Sequence, residues 1–400
     1  MSIKRKIVSL AAAAALAATS AASLSGCADI SYALVIDGVT IPAGVYIMYS
    51  GYAFSDAESL LQEEQPDIDM SAEDFDYYKQ TVSGMSFGDY VEQETVNYCK
   101  RYVAVNRLYD ELGIEMEATD RENLSDSINY QWDYSVSDWT STITYLKGCD
   151  TLGDYYQSIG VAKSSFKEVM TGNFKANEIF GYYYDEGGIE EVPLEDIKNY
   201  IDENYSLARY FAISLYDDDN NVIEDEAELA ELEKLANGYI EKLNGGTSYS
   251  EVYEEYEKYS SGDEESAEEE EHEHEDSDFD RVINVESTSP SEEFVKALFE
   301  QKKGTAALFK ADTYYYVVQR LDIIDSEDYI EDYTDAALEA LKRDDMEDAF
   351  KAKYAGYGVT ENTSAPDYAR QQADNAFNAL STINTIQYYN YYYSSLFGGY

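Results

Sequence analysis

Apolar positions between residues 42 and 205 recur mainly at the three- and four-residue spacing of helices. The segment Phe87–Leu112 carries the longest such pattern and is predicted to be one helix that stops at Gly113. Thr119 and Glu122 have the spacing of a capping box, which indicates the start of the next helix. Two further helices are expected in this half, at about 162–184 and at 193–205.

The segment Tyr32–Tyr49 precedes these helices and has a different pattern. It begins with a β-rich run, continues through an Asp37-Gly38 turn into a second apolar piece, and reaches Pro42. Proline is favoured in the first turn of a helix, so a helix is predicted to begin there.

The pattern changes at residue 206. Ser206–Tyr216 is an apolar strand candidate, and the amphipathic helix that follows repeats its apolar residues at helical spacing from Leu232 to Leu243. A short helix is predicted at 248–261, and a long acidic loop follows it at 262–280. Another helix is predicted at 291–304, followed by two strands at 305–311 and 314–324. This mixture indicates an α+β domain.

The last part of the chain returns to a helical pattern. Ser326–Tyr354 is predicted to be a helix, ended by Gly356 and Gly358. Residues 359–400 have low charge, many Asn, Ser and Ala residues and a terminal tyrosine cluster, and are predicted to be a flexible tail.

The first residues have the pattern of an export signal. Three basic residues, Lys4 to Lys6, precede a short alanine-rich apolar run that is too short for an ordinary membrane span. The run is followed by Leu24-Ser25-Gly26-Cys27, which resembles the lipobox of bacterial lipoproteins. Lipid on Cys27 would tether the mature chain to the extracytoplasmic face of the cell membrane, and plain secretion is the alternative.

The formal charge of −53 limits the classes of partner. Such a field repels nucleic acid and anionic lipid headgroups, so no nucleic-acid partner is expected. After Cys27 no run approaches the roughly 20 apolar residues of a spanning helix, so this part is predicted to lie in water. Cys99 lies on an apparent helical stripe, where a buried thiol is favoured; a disulfide with Cys149 is the alternative.

Histidine chemistry is nearly absent from this chain. Its two histidines, His272 and His274, alternate with glutamates in the acidic run, which has too little apolar surface to fold. A solvated loop is predicted there, with a loose zinc or calcium contact as the alternative, and no metal site or cofactor is expected. Serine hydrolases and zinc enzymes with histidine ligands both need a histidine in a folded site, so these two classes are not expected.

The order of these segments resembles that of exported foldases of the PrsA and SurA type, and the middle segment resembles a parvulin-type peptidyl-prolyl isomerase. The matching pieces are the lipobox, "VIDGVTIP", "VPLEDIKNYIDENY", the middle segment and the returning helix. The resemblance implies a helical chaperone lobe with an inserted parvulin-like α+β domain. It divides the chain into a signal peptide (1–26), a helical domain (27–205), the parvulin-like domain (206–324, with a disordered acidic insert at 262–280), a completing helix (325–358) and the tail (359–400).

The resemblance also implies which positions would form the site. "ARYFA" places Tyr210, and "YYYVVQR" places Tyr316, where the family has its two histidines. The acid or thiol of the family falls near Gly262 or Asp263. Three further residues match positions that would contact substrate: Phe294 at the aromatic of the proline pocket, Tyr249, and Tyr314 at a family glycine.

Replacement of both histidines leaves the catalytic status of the domain open. A twisted X-Pro bond can be stabilised without proton transfer, so Tyr210 and Tyr316 could support an active isomerase. The favoured interpretation is that both are core tyrosines of an active site that has lost its activity. The 41 tyrosines, against 14 phenylalanines, suit weak binding of many polypeptides, although tyrosine can also simply replace phenylalanine.

The sequence thus predicts a membrane-anchored chaperone for unfolded exported proteins, with weak or absent isomerase activity, and is compatible with a homodimer. A surface-interaction lipoprotein that retains the foldase fold is the alternative.

Overall fold

A computed structural model describes residues 32–70, 72, 74–137, 144–217, 219–261, 274–362 and 372–379. The signal peptide, Cys27, Asp263, His272 and residues 380–400 lie outside the described residues. Within them, contacts divide the chain into two compact units, one made of residues up to Tyr182 together with those from Met346, the other of Tyr183–Asp345. The predicted boundaries were at 205/206 and 324/325, so both ends of the second unit lie about 20 residues outside them.

The first unit contains a small sheet and most of the helices. Its elements are β1 (Tyr32–Ile36), β2 (Val39–Pro42), α1 (Ala43–Glu64), β3 (Thr81–Val82), β4 (Met85–Ser86), α2 (Phe87–Leu112), α3 (Ala118–Trp132), α4 (Leu152–Ser158) and most of α5 (Lys163–Tyr184). Strand β1 pairs antiparallel with β2 on one side and with a late strand, Val359–Glu361, on the other.

The helix ends follow local rules in most places. Helix α2 begins after Ser86, whose Oγ accepts a hydrogen bond from the Asp89 amide at 3.2 Å, and ends at Gly113, which has a φ of 69°. Both ends match the prediction, since glycine adopts the left-handed conformation without strain. The predicted capping box at Thr119 and Glu122 is wrong, because α3 begins at Ala118, after Glu117, and has no side-chain cap.

The second unit contains the α+β domain. It comprises α6 (Leu194–Asn204), β5 (Tyr205–Ser214), α7 (Glu226–Asn244), α8 (Tyr249–Ser261), β6 (Arg281–Asn284), α9 (Glu292–Glu300), β7 (Thr305–Lys310), β8 (Tyr314–Leu321) and the first part of α10 (Glu327–Tyr354). The antiparallel sheet has the order β6-β5-β8-β7. The predicted α+β fold class is confirmed.

Two predictions in this unit need correction. Strand β6 was not expected, because its four residues carry too short a pattern. The acidic insert was expected to be disordered as far as Asp280, but Asp276–Phe279 form a 3₁₀ turn. That turn is held by ion pairs of Arg209 with Asp276 and Asp280, at 2.9 and 2.5 Å.

The predicted flexible tail is also wrong in part. Strand β9 (Val359–Glu361) pairs with β1, and residues 373–379 form a helix. Ala373, Ala376 and Ala379 of this helix are buried in the first unit.

The two cysteines after the lipobox are free. Cys99 is fully buried, as predicted, and burial raises the pKa of its thiol well above the usual value. In the part of the chain that the structure describes, no helix combines the length and apolar character needed to cross a membrane.

Candidate functional site

Tyr210 and Tyr316 are brought together by the pairing of the two central strands. In the register of β5 and β8, Tyr210 lies opposite Val318 and Ala212 lies opposite Tyr316. The two tyrosines are thus offset by two residues, so both side chains point to the same face of the sheet. Their ring centroids are 6.1 Å apart.

Phe294 completes a cluster with these two tyrosines. The Ser291 Oγ caps α9 by accepting a hydrogen bond from the Phe294 amide at 3.2 Å, which sets the first turn of the helix against the sheet. The Phe294 ring centroid lies 5.1 Å from that of Tyr210 and 5.2 Å from that of Tyr316. The side chains of residues 210, 294 and 316 therefore lie together.

The three side chains and Phe309 form a closely packed aromatic cluster. Phe294 is 1% exposed, and Phe309 of β7 also contacts it, with the ring centroids 5.3 Å apart. Tyr210, Tyr316 and Phe309 are each half-buried and cover the Phe294 ring. The Phe294 ring is therefore enclosed by the protein's own aromatic side chains.

The cluster extends to the surface through two further tyrosines. The Tyr314 ring lies 6.0 Å from that of Tyr316, and the Tyr216 ring lies 6.4 Å from that of Tyr314. Tyr314 is 36% exposed and Tyr216 is 39% exposed. We call this connected set the aromatic strip; it consists of Phe294, Phe309, Tyr210, Tyr316, Tyr314 and Tyr216.

Two members of the aromatic strip were missed in the sequence. Phe309 follows the alternation of β7 and could have been placed on this face once its pairing with Tyr316 in β8 was known. Tyr216 lies just beyond β5, where alternation gives no guide.

The environment of Tyr316 disfavours the ionised form of its hydroxyl. Burial, followed by the neighbouring Tyr210 and Tyr314, raises the pKa of Tyr316. The exposed Arg281 places its guanidinium carbon 5.9 Å from the Tyr210 ring centroid. The strip thus offers hydroxyls and ring faces, which suit polar-aromatic contacts.

Tyr249 does not belong to this site, which corrects the substrate-binding role predicted for it. It is fully buried and its ring lies 6.1 Å from that of Phe211, which alternates with Tyr210 and so points to the opposite face of β5. The Tyr249 hydroxyl has no hydrogen-bond partner among the described residues. Asp263 lies outside the described residues.

A charged cluster on this opposite face was also missed. Arg209 pairs with Asp276 and Asp280, and the Asp280 Oδ2 accepts a hydrogen bond from the Tyr329 hydroxyl at 3.1 Å. The side chains of Arg209 and Asp280 are only 13% and 10% exposed. These contacts attach the end of the acidic run to the face of the sheet that lies opposite the aromatic strip.

In comparisons with known proteins, the chain shows similarity only to solved structures. No family profile matches the sequence, and no curated protein matches it. The chain is similar to the foldase PrsA of Lactococcus lactis, with 13% identity, a TM-score of 0.31, and 86% of this chain and 99% of that one covered. It is also similar to PrsA of Streptococcus pneumoniae, with 12% identity, a TM-score of 0.30, and 72% of this chain and 90% of that one covered. A third similar structure is PrsA of Bacillus subtilis, with 15% identity, a TM-score of 0.25, and 72% of this chain and 95% of that one covered.

Proposed function

We propose that this chain is an extracytoplasmic chaperone, tethered through lipid on Cys27, that holds unfolded exported polypeptides and has little or no prolyl isomerase activity. One observation carries this proposal: Phe294 is covered by phenol and phenyl rings, while the same cluster continues to the exposed Tyr314 and Tyr216. The seat of a single proline is filled, and a broader aromatic surface lies beside it.

Such a surface suits weak binding of many sequences. Tyrosine offers a large contact area with few rotatable bonds to order, and its hydroxyl tolerates water when no client is bound. The charge of −53 adds repulsion between copies of the chain and attraction for basic segments of a client.

An aggregation assay tests the holding activity. The mature protein should slow aggregation of a chemically unfolded client, and Tyr216→Ala with Tyr314→Ala should raise the concentration needed by about fivefold, the loss expected for an aromatic anchor worth about 1 kcal/mol. Tyr259→Ala, which removes a tyrosine of α8 that is 47% exposed, is the matched control and should leave the activity unchanged. No protection at several-fold molar excess of the wild-type protein would end the proposal.

A proline-limited refolding assay tests the catalytic part. The wild-type protein should not accelerate refolding, because the Phe294 ring is covered. Tyr210→His with Tyr316→His replaces both phenols by smaller imidazoles and should produce measurable acceleration. Strong acceleration by the wild-type protein would instead favour an isomerase that uses the two tyrosines.

The alternative of a dedicated surface-interaction protein is separated by deleting residues 380–400. The cut is placed there because Ala379 is buried in the first unit. Holding should survive this deletion, whereas adhesion through the tyrosine-rich tail should not.

A further inference from the structure

The helix at 373–379 occupies a groove of the first unit through unusually small side chains. Ala376 lies so close to Gly51 of α1 that a Cβ added to Gly51 would be 2.8 Å from the Ala376 carbonyl carbon. Ala373, Ala376 and Ala379 are 2%, 1% and 0% exposed, respectively. Close approach of the two backbones therefore depends on glycine on one side and alanine on the other.

An aromatic anchor fixes the position of this helix along the groove. The Phe377 ring stacks on Phe54 with the ring centroids 4.9 Å apart and an interplanar angle of 26°. We call the surface formed by Gly51, Phe54, Tyr145 and Tyr155 the tail groove.

The polar contacts in the tail groove are made to the backbone. The Tyr155 hydroxyl donates a hydrogen bond to the Asn375 carbonyl, and the Tyr145 hydroxyl donates one to the Asn378 carbonyl, each at 3.0 Å. Backbone carbonyls are present in every polypeptide, so these two tyrosines bind the helix without reading its side chains. The side-chain requirements are small residues at positions i, i+3 and i+6 and an aromatic residue at i+4.

We propose that the tail groove is a second polypeptide-binding site, and that residues 372–379 are its resident ligand, which a client segment of the same chemistry displaces. This inference rests on the proposed chaperone function and names a class of client: segments that become helical with one face of small residues and one aromatic. A short helix is marginal by itself in water, so the resident gains its structure from the groove and should lose it on release.

The resident competes as a tethered ligand. It belongs to the same chain as the groove, and a ligand attached to its own receptor competes at an effective concentration that can reach the order of millimolar. A client present at micromolar concentration is therefore excluded unless it binds much more tightly, which restricts the groove to clients held nearby, such as those on another part of this chaperone.

A labelled peptide of residues 370–381 tests the proposal on the full-length mature protein. Ala376→Leu places a side chain against Gly51 that does not fit, so it should eject the resident and leave the groove wall unchanged. By fluorescence anisotropy this variant should bind the peptide at least about tenfold more tightly than the wild type, as loss of a tethered competitor requires. A peptide that carries the same Ala376→Leu change should bind neither protein.

Asp374→Asn is the matched control, because Asp374 is the exposed residue of the same helix and its change should leave peptide binding at the wild-type level. Phe377→Ala is the second variant should Ala376→Leu fail to fold, and it should raise peptide binding in the same direction. Equal binding by the wild type and the folded variant would overturn the proposal. The proposal would also be overturned if Phe377→Ala bound the labelled peptide no more tightly than the wild type. The helix would then be a structural part of the unit.

These measurements separate this inference from the chaperone function on which it rests. If the wild-type protein does not protect clients but the variants bind the peptide more tightly as expected, the proposed chaperone function fails. The inference that the tail groove is a peptide-binding site then still holds. If clients are protected and the peptide does not exchange, the resident-ligand inference alone fails.

Discussion

The two faces of the sheet in the second unit use the same strands for opposite purposes. On the face covered by α7 and α8, Phe211 is 4% exposed and packs against four tyrosine rings at 4.4–6.1 Å. On the face of α9, Tyr210 and Tyr316 are half-buried and lead to the exposed Tyr314.

The difference shows that tyrosine content by itself does not identify a binding surface. Tyr239 and Tyr249 are core residues on the sealed face, whereas Tyr314 and Tyr316 form an open edge on the other. The role of each tyrosine is decided by the element that covers it. Three predictions test this comparison.

The largest effect is expected on the sealed face. Phe211→Ala should lower the free energy of unfolding by about 3–5 kcal/mol, because it leaves a cavity among packed rings. Tyr314→Ala on the open face should change it by less than about 0.5 kcal/mol. Urea unfolding followed by circular dichroism measures both, and similar losses for the two variants would mean that the faces are not different in packing.

An intermediate effect is expected at the charged cluster that attaches the acidic run. Burial by itself would raise the pKa of Asp276, but hydrogen bonds from the Ser250 and Tyr249 amides and the charge of Arg209 outweigh it and lower the pKa below 3.8. Asp276→Asn should therefore cost about 1 kcal/mol at pH 7.

The pH dependence of this effect has a defined sign. Because the folded pKa is lower than the unfolded one, the unfolded chain takes up the proton first, and the stabilisation is full above about pH 5 and is lost as the pH falls below about 4. Thermal melts at pH 7 and pH 3 should show the gap between wild type and Asp276→Asn closing at the lower pH. The exposed Asp312, changed to Asn, is the control; a gap that widens in acid would contradict the assignment.

The smallest effects compare two tyrosines of α8. Tyr256→Phe removes a hydrogen bond of 2.7 Å to the Ala212 carbonyl and should cost about 0.5 kcal/mol. Tyr249→Phe should be neutral or slightly stabilising, because its buried hydroxyl has no partner in the described chain. A larger loss for Tyr249→Phe would reveal a polar role for this residue.

Much of the local structure could be read from the sequence. Local residues set the limits of α2: the Ser86 side chain accepts a hydrogen bond from a free amide of the first turn, and Gly113 adopts the left-handed conformation that ends the helix. Tyr210, Tyr316 and Phe294, which were selected from the sequence, lie together in the structure, while their role stays a prediction. The burial of Tyr249 could not be predicted, because its neighbour Phe211 comes from a strand almost 40 residues earlier.

The order of the acidic run illustrates the same limit. Its composition correctly indicates little apolar surface, yet Asp276 and Asp280 are held by Arg209, about 70 residues away in the chain. A charge that finds a buried partner across such a distance leaves no signal in its own segment.

The sequence by itself determined the periodic elements and the acidic character, because each of these depends on residues that are neighbours in the chain. The tertiary structure alone decided that the phenols cover Phe294 and that residues 373–379 lie against Gly51. Both outcomes depend on the volume and closeness of side chains from distant segments, and such packing acts only after the chain has folded.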